Sequence, residues 1–426
     1  MKKFTHIALM VNASTDFGRA ICRGVVHFVR EHGDWLLFPV EPGVDEVSIQ
    51  NWLRVNRIAG VISGGSSREV FLHMQETGLP LVSLSYRDIN PGTTAVNADP
   101  EAISRMAAEF FLRAGFWNFA FCGYPESAYS AMREAAFQDI LGAHGRTLHV
   151  LPHAPHAPVA HHGYDPISNM ASDRLLGAWL RSLPKPVALL ACNDSRGQQL
   201  LRIAQECEID VPGEMAVLGV DNDEILCTVC HPALSSIEPN GEAIGRAAAL
   251  ALDGLLRKTI RPGVQLKIPP LRIVERQSTG IPPMENQLMI RAMRIIRDAV
   301  RDNLTVKALC AELGSSRTRL DMLFKEHLGR TPSDEITRVR VKHVTELLHG
   351  TPLSIKEIAN LSGFTSAACL SHFIRRETGG TPRSLRQQDA PTAPPANNRS
   401  PGGKRFQRGR AAGGKPLATG NNQGVT

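Results

Sequence analysis

The sequence LTVKALCAELG at residues 304–314 recurs as LSIKEIANLSG at residues 353–363, an offset of 49 residues. Further along, the Thr-Pro pair at 331–332 matches the Thr-Pro pair at 381–382 at an offset of 50, so the turn of the second copy holds one extra residue. A pattern repeated at this spacing predicts two copies of one supersecondary unit.

Each copy has the residues that start and stop two short helices. Thr305 in one copy and Ser354 in the other can cap a first helix, because a hydroxyl accepts a hydrogen bond from a free amide at a helix N-terminus. The glycine that ends each quoted stretch permits the positive φ of a sharp turn. A second helix is predicted over residues 316–328 and 366–378. Two short helices around such a turn are typical of a helix-turn-helix unit, whose second helix enters the DNA major groove.

Positive charge is concentrated in the part of the chain that holds the repeat. The formal net charge is −4 over residues 1–283, +5 over 284–389 and +6 over 390–426, which together give the +7 of the whole chain. We therefore expect only the C-terminal part to meet a polyanion, although charge by itself also fits an ordinary solvated basic surface. A helix predicted over residues 332–348 joins the two copies.

The C-terminal part, about residues 285–388, resembles the AraC/XylS DNA-binding domain. The matching elements are the paired units, the long joining helix, and the closing stretches Gly-Arg-Thr-Pro at 329–332 and Gly-Thr-Pro at 380–382. The resemblance implies that the second helix of each unit contacts double-stranded DNA. The DNA-binding residues that it implies are Ser316, Arg317, Thr318, Arg319, Asp321, Met322, Ser366, Ala367, Ala368, Ser371, His372 and Arg375.

The two implied recognition helices differ in chemistry. The second presents Ala367 and Ala368, whose side chains offer no hydrogen bond to a base edge, whereas the first presents Arg317 and Thr318. Alanine can contact a thymine methyl, and the rest of the second helix can contact phosphates, but phosphate contacts carry no base sequence. We therefore predict that the first unit supplies most of the sequence discrimination.

The first two thirds of the chain alternate short apolar runs with helix-length segments. Runs rich in Val, Leu and Ile, separated by helices, predict a parallel sheet that is buried on both faces. Two such sheets fit this length, so we predict an α/β fold of two Rossmann-like lobes, followed by the all-α double helix-turn-helix domain. The cleft between two such lobes is a natural small-molecule site. The predicted strands are 5–11, 35–40, 58–63, 80–84, 118–123, 187–191 and 215–220.

Polar residues stand just after three of these strands, namely Asn12, the pair Asn193-Asp194, and the pair Asp221-Asn222. Carboxylate and amide groups there suit a polyhydroxylated ligand, since each can hold one or two hydroxyls. The spacing fits helix caps equally well, because Asp and Asn often fill that role. The sequence contains no phosphate-binding glycine loop and no nucleophile elbow, so we expect neither an enzyme nor a cofactor.

Three stretches of this part, residues 12–28, 97–115 and 217–222, resemble the ligand-binding domain of LacI/GalR-type regulators. Residues 124–137 resemble more narrowly the sugar-responsive, XylR-like branch. The resemblance covers roughly residues 5–277 and implies a periplasmic-binding-protein-like fold of type I, in which three crossovers join the lobes. We expect these crossovers near residues 115, 238 and 265.

The same resemblance implies a set of effector-binding residues. Asp99 would contact a sugar from the first lobe, while Arg133 would donate and Asp221 would accept hydrogen bonds from the second. Phe17 stands where this family often has an aromatic residue, which either stacks on the sugar or belongs to the core. The full set of candidate ligand-binding residues is Asp99, Arg133, Asp221, Asn193, Asp194, Phe17 and Asn12.

The cysteines and histidines predict no metal or haem site. The eight cysteines are scattered and suit small core positions, and we take the C-x-x-C-H spacing of CTVCH at residues 227–231 as a coincidence. Histidines crowd a proline-rich segment, which predicts an exposed loop rather than a metal site. These histidines are His144, His149, His153, His156, His161 and His162.

The N-terminus lacks a signal-peptide pattern and no apolar run is long enough to span a membrane, so we expect a cytoplasmic protein. The predicted parts are a sensor domain over 1–277, a linker over 278–286, a DNA-binding domain over 287–388 and a disordered basic tail over 389–426.

These parts together predict a homodimeric regulator of a carbohydrate-utilisation operon that a small sugar such as xylose controls. Family analogy favours an activator that acts with RNA polymerase at a promoter. One alternative is a ligand-independent DNA-binding protein whose front domain only dimerises. Another is a sugar-binding protein or enzyme with accessory helices.

Overall fold

A computed structural model describes residues 4–40, 46–64, 68–86, 90, 92–124, 126–151, 170–280 and 286–388 of the chain. The chain forms two compact units. The first holds Met1–His343 with Leu361–Gly363, and therefore the sensor domain and the first helix-turn-helix. The second holds Val344–Asn360 and the residues from Phe364 onward, and therefore most of the second helix-turn-helix.

In the described residues, the first two thirds of the chain form two six-stranded sheets. The strands of the first sheet are β1 (Thr5–Val11), β2 (Trp35–Pro39), β3 (Gly60–Gly64), β4 (Leu81–Ser83), β5 (Thr94–Ala98) and β11 (Gln265–Ile268). Those of the second are β6 (Asn118–Cys122), β7 (Leu148–Val150), β8 (Val187–Ala191), β9 (Met215–Val220), β10 (Ser235–Glu238) and β12 (Arg272–Val274). The spatial orders are β11-β5-β4-β3-β1-β2 and β12-β10-β9-β8-β6-β7. Neighbours pair in parallel except β10 and β12, which confirms the predicted two-lobed α/β fold.

Helices cover both sheets, so the central strands are buried on both faces. Every residue of β8 and β9 is buried, as the Val- and Leu-rich runs predicted. The first lobe has α1 (Asp16–His32), α2 (Glu46–Val55), α3 (Arg68–Glu76) and α9 (Gly241–Leu256). The second lobe has α4 (Pro100–Arg113), α5 (Ala128–Ala143), α6 (Met170–Ser182), α7 (Asp194–Glu206) and α8 (Glu224–Val229).

The chain passes between the lobes at residues 99–100, 239–240 and 269–271. The first passage lies earlier than the expected position near 115, because α4 packs Phe111 into the core of the second lobe, where Phe119 and Phe137 also lie. The apolar face of α4 would suit either lobe, so its sequence does not reveal which one it covers. The other two passages lie one to six residues after the expected positions.

Residues 286–388, here called the DNA-binding half, contain helices joined by short turns and no strand. In the first helix-turn-helix, α11 (Val306–Leu313) and α12 (Arg317–Leu328) bury Leu309, Leu320 and Phe324 against α10 (Gln287–Asp298). Helix α13 (Pro332–Gly350) joins the two repeats and runs two residues beyond its predicted end. The second repeat contains α14 (Ile355–Leu361), α15 (Ala367–Thr378) and α16 (Pro382–Gln388).

The sensor domain continues past the predicted start of the linker. Gln277–Thr279 form a 3-10 turn in which the buried Ser278 hydroxyl donates to the Val217 carbonyl at 2.6 Å and accepts from the Ser235 amide at 2.8 Å. These bonds fix residues 277–279 to the second lobe. Residues 281–285 of the linker and the tail from 389 lie outside the described residues. No helix within the described ranges is long and apolar enough to cross a membrane.

A buried ion pair attaches the first helix of the DNA-binding half to the second lobe. The Arg297 guanidinium on α10 lies 2.8 Å from the Asp210 carboxylate, and both side chains are largely buried. Nearby, a Cβ at Gly213 would lie only 3.0 Å from the Ile290 side chain, so α10 approaches the lobe closely. Breaking a buried pair of this kind is costly, because it leaves one charge without a partner.

Candidate functional site

Polar side chains from two neighbouring strand ends of the second lobe meet beside α5. Asn193 follows β8 and Asp221 follows β9, and these strands are adjacent and parallel. The Asn193 amide donates to the Tyr129 hydroxyl at 3.2 Å, and the Arg133 guanidinium lies 5.0 Å from the Tyr129 ring centre. The structure therefore brings together the predicted residues Arg133, Asn193 and Asp221, with Tyr129 as a neighbour that the sequence analysis missed.

Arg133 enters this site from a buried position on α5. Its side chain is 6% exposed, and one of its terminal nitrogens donates to the Cys192 carbonyl. Its Nε has no hydrogen-bond partner among the described residues. A buried guanidinium rarely leaves a donor unused, so this nitrogen is available to an acceptor on a bound molecule.

The two aspartates at the strand ends differ in what they contact. Burial raises the pKa of Asp221 to about 6, and the positive charge of Arg133 opposes that rise. Asp194 is 1% exposed, and its carboxylate accepts from the Ser236 hydroxyl at 2.6 Å and the Asp223 amide at 2.8 Å. Burial, and then the Asp221 carboxylate, raise the pKa of Asp194. Asp194 thus holds the loop after β9 in place. Its carboxylate is occupied by these internal bonds, so its role is structural.

Asp99 and Tyr86 approach the site from the end of the first sheet. One carboxylate oxygen of Asp99 caps α4, accepting from the amides of Glu101 and Ala102 at 3.0 and 3.1 Å. The Tyr86 hydroxyl donates to the Ala98 carbonyl, and burial raises the pKa of Tyr86, as does the Asp99 carboxylate. The positive charge of Arg133 lowers the pKa of the Tyr86 hydroxyl, so this hydroxyl interacts with charges from both lobes.

Asn12 and Phe17 lie at the start of α1 in the first lobe. The Asn12 side-chain oxygen accepts from the Ser14 amide at 3.0 Å and from its hydroxyl at 2.6 Å, so Asn12 shapes the turn before the helix. Phe17 is partly buried against the core of the first lobe. Each residue therefore has an internal role in this structure.

A pair of reciprocal hydrogen bonds joins the lobes beside the cleft. The Asp16 amide at the start of α1 donates to the Asp223 carboxylate at 3.1 Å, and the Glu224 amide at the start of α8 donates to the Asp16 carboxylate at 2.7 Å. Each aspartate thus accepts a bond at the N-terminus of the other lobe's helix, where negative charge is favoured. The sequence analysis missed these residues, because about two hundred positions separate them in the chain.

The two cysteines of the CTVCH stretch lie on and directly after α8 in the second lobe. Cys227 is buried, and its thiol donates to the Asp194 carboxylate at 3.4 Å, while Cys230 donates to the Leu226 carbonyl at 3.0 Å. Burial raises the pKa of Cys230 to about 11 and that of Cys227 further still, so these thiols are poor nucleophiles. Of the histidines in the proline-rich segment, His144 follows the end of α5 and His149 lies in β7, whereas the other four lie in residues 152–169, outside the described residues.

Helix α12 of the first helix-turn-helix presents a polar outer face. Ser316 caps it, its hydroxyl accepting from the Arg319 amide at 3.3 Å, and Thr318 and Arg319 are exposed. The Arg317 side chain is 75% exposed and lies 3.7 Å from Asp321, a surface pair that contributes little to stability. Met322 is 63% exposed, which is unusual for a residue without an external partner.

Helix α15 of the second helix-turn-helix has the same cap and a smaller outer face. The Ser366 hydroxyl accepts from the Cys369 amide at 3.2 Å, and Ala368, His372 and Arg375 are exposed. Ser371 donates to the Ala367 carbonyl of its own helix at 2.8 Å, which occupies its one donor. The predicted residues thus lie on the outer faces of both second helices, but the two faces differ in hydrogen-bonding capacity.

Comparisons with known proteins agree with this geometry. Residues 108–279 match the periplasmic binding protein-like domain family, and residues 309–388 match a helix-turn-helix domain family. The xylose operon regulatory protein of Escherichia coli K12 is 27% identical over 392 residues, which are 89% of this chain and 96% of that protein. Its namesake in Haemophilus influenzae is 26% identical over 398 residues, 90% of this chain and 99% of that protein.

A solved structure of the xylose-binding transcription activator XylR has the same architecture. It superposes with a TM-score of 0.75 at 25% identity, and the match covers 91% of this chain and 99% of that one. The similarity therefore spans the sensor domain and both helix-turn-helix units together. The chain is thus a sugar-sensing transcription regulator in which a periplasmic-binding-protein-like domain precedes an AraC-type double helix-turn-helix domain, and it is similar over most of its length to XylR-like regulators.

Proposed function

We propose that the chain controls a carbohydrate-utilisation operon by binding a small neutral sugar, with D-xylose as the first candidate, in the cleft of its sensor domain. The observation that carries this proposal is the meeting of Arg133, Asn193 and Asp221 at the end of the second sheet, with an unused guanidinium donor. The names of the XylR-like relatives supply the choice of D-xylose.

In this proposal the two lobes divide the sugar's hydroxyls between them. Arg133 donates to a ring or hydroxyl oxygen, while Asp221 accepts from one or two hydroxyls, since a carboxylate has two acceptor oxygens. Asp99 offers its second carboxylate oxygen from the first lobe, and the ring of Tyr129 supplies an apolar wall. Because a sugar touches both lobes, it stabilises the conformation in which they are close.

On the DNA side, the outer face of α12 and the outer face of α15 each enter a major groove of a promoter. Each protomer of a homodimer then supplies two recognition helices, and the complex activates transcription through contact with RNA polymerase. The protein acts in the cytoplasm, where its DNA and its sugar are both present.

A thermal-shift series against pentoses and hexoses tests the sugar site. D-xylose should raise the melting temperature of the wild-type chain, since a ligand that binds only the folded state stabilises it by mass action. Asp221→Ala should abolish the shift, because it removes an acceptor at the site. Asp139→Ala is the matched control: Asp139 is exposed on α5, and its loss should leave the shift intact. A wild-type chain that responds to none of the sugars would refute the proposal.

A further inference from the structure

The loop that follows β9 contacts three different parts of the protein through three successive residues. Asp221 faces the candidate sugar site beside Arg133. Asn222 accepts a hydrogen bond from the Arg276 guanidinium at 2.8 Å. Asp223 accepts from the Asp16 amide of the opposite lobe at 3.1 Å. A shift of this loop on sugar binding would therefore change the contacts with the sugar site, with Arg276 and with the opposite lobe together.

The backbone of this loop is in an unusual conformation that neighbouring groups maintain. Asp221 has a φ of 118° and Asn222 a φ of 50°, in the left-handed region that costs a non-glycine residue about 1–3 kcal/mol. All three amides are anchored, to the Ile237 carbonyl, the Ser236 hydroxyl and the Asp194 carboxylate respectively. Backbone conformations of this kind persist where the surroundings hold them, and they often accompany a functional switch.

Arg276 connects this loop to the DNA-binding half. Its guanidinium bridges Asn222 and the Leu234 carbonyl, the latter at 2.9 Å. Its own carbonyl accepts from the Lys342 ammonium at 3.5 Å, and Lys342 lies on α13, the helix that joins the two helix-turn-helix units. Arg276 also stands at the point where the chain leaves the sensor domain, directly before the turn Gln277–Thr279.

The other attachment of the DNA-binding half lies away from the sugar site. Asp210, which holds Arg297 of α10, lies before the amino end of β9, whereas Asp221 follows its carboxyl end. A six-residue strand is about 20 Å long, so the ion pair is remote from the cleft. The Asp210–Arg297 pair is thus suited to be a fixed anchor, and Arg276 to be the contact that changes.

We propose that Asn222 and Arg276 form a relay that makes DNA affinity depend on sugar binding. Asn222 is a positioning residue in this relay: it touches neither sugar nor DNA, and it sets the Arg276 guanidinium according to the state of the loop. The relay rests on the proposed function, because it requires both a sugar effect and DNA binding.

The test compares Asn222→Gly with two matched variants in the full-length chain. Glycine keeps the left-handed backbone of residue 222 without strain but removes the acceptor for Arg276. Asn222→Asp keeps an acceptor, makes the bond charge-assisted and tolerates the same backbone conformation. Lys258→Gly, at another exposed left-handed position with a φ of 58°, controls for the effect of an added glycine.

DNA affinity is measured with and without D-xylose, on a duplex selected from a random-sequence pool by the wild-type chain. In the wild type and in Asn222→Asp and Lys258→Gly, D-xylose should change the affinity by about 5- to 150-fold, a typical allosteric coupling. In Asn222→Gly the change should fall to about twofold or less, while the xylose thermal shift and the sugar-free DNA affinity stay near those of the wild type. Loss of coupling with both separate activities intact is a result that a merely structural role would not give.

The failures are distinguishable. If Asn222→Gly keeps the full xylose effect, the relay is wrong and the proposed function stands. If Asn222→Gly loses DNA binding or sugar binding itself, Asn222 serves the fold or a site, and the relay is also wrong. If D-xylose neither stabilises the wild type nor alters its DNA affinity, the proposed function fails and the relay falls with it.

Discussion

The two helix-turn-helix units share their helix-ending residues but differ on their outer faces. Both second helices begin with a serine cap, and both turns contain a glycine in the left-handed region, with φ of 60° at Gly314 and 69° at Gly363. Where α12 exposes Arg317, α15 presents Ala367. The residues that direct the backbone have thus been kept in both copies, while those that would meet bases have diverged.

The two turn glycines also have different surroundings. A Cβ at Gly363 would lie 2.2 Å from the Arg301 carbonyl oxygen, whereas a Cβ at Gly314 would meet nothing within 4 Å. Gly314 is therefore required for its conformation alone, and Gly363 for its conformation and for the close approach of another segment. A glycine at the turn is therefore present in both repeats for reasons that differ, and the sequence alone does not show the difference.

The largest expected effect in this comparison is on stability at the turns. Gly363→Ala should cost about 2–5 kcal/mol, because it adds a clash with backbone to the left-handed strain, whereas Gly314→Ala should cost about 1–2 kcal/mol from strain alone. Hydrogen exchange of the amides in α14 and α11 measures each opening free energy separately. Tryptophan fluorescence would not serve, since all four tryptophans lie before residue 180. Equal costs at the two glycines would show that the Arg301 contact is unimportant.

The next effect concerns how the two units recognise DNA. Arg317→Ala should weaken binding to the selected duplex by about 1–3 kcal/mol if this side chain makes a bidentate contact with a guanine. His372→Ala on α15 should cost less, because its neighbours offer few hydrogen bonds to bases. Titrations of each variant against the selected duplex and a random duplex measure the loss of discrimination. Equal losses would contradict the asymmetry between the units.

The smallest effect tests the similarity of the units rather than their difference. Ser316→Ala and Ser366→Ala should each destabilise their helix by about 1 kcal/mol, since each removes one exposed capping bond of similar length. Hydrogen exchange in the first turns of α12 and α15 reports both values. A cost at one serine several times that at the other would mean that the two scaffolds are not equivalent.

The sequence predicted the elements with strong local signals and missed those without them. The apolar runs of β1, β6, β8 and β9 are visible because buried parallel strands need Val, Leu and Ile. Strand β5 (TAVNA) and strand β10 (SSIE) contain too few apolar residues to stand out, although both lie inside their sheets. The buried Ser235 and Ser236 hydroxyls of β10 are bonded to Thr279 and Asp194, which are neighbours that only the folded chain supplies.

Only those residues of the candidate site that follow a predicted strand, or that the family resemblance implies, could be predicted from the sequence. Parallel strands end at one edge, so Asn193 and Asp221 were expected to be near each other. The inward role of Asp194 depends on Ser236, and the bond between Asn222 and Arg276 joins residues 54 positions apart. Contacts of that kind follow from the packing of whole elements, and no local sequence pattern predicts them.

The most direct test of the account is a competition titration of the full-length chain between the selected duplex and a random duplex of equal length, at physiological salt, with and without D-xylose. We predict that the selected duplex binds at least about 10³-fold more tightly and that D-xylose changes its affinity by about 5- to 150-fold. Equal affinity for the two duplexes, whether or not sugar is present, would contradict the account.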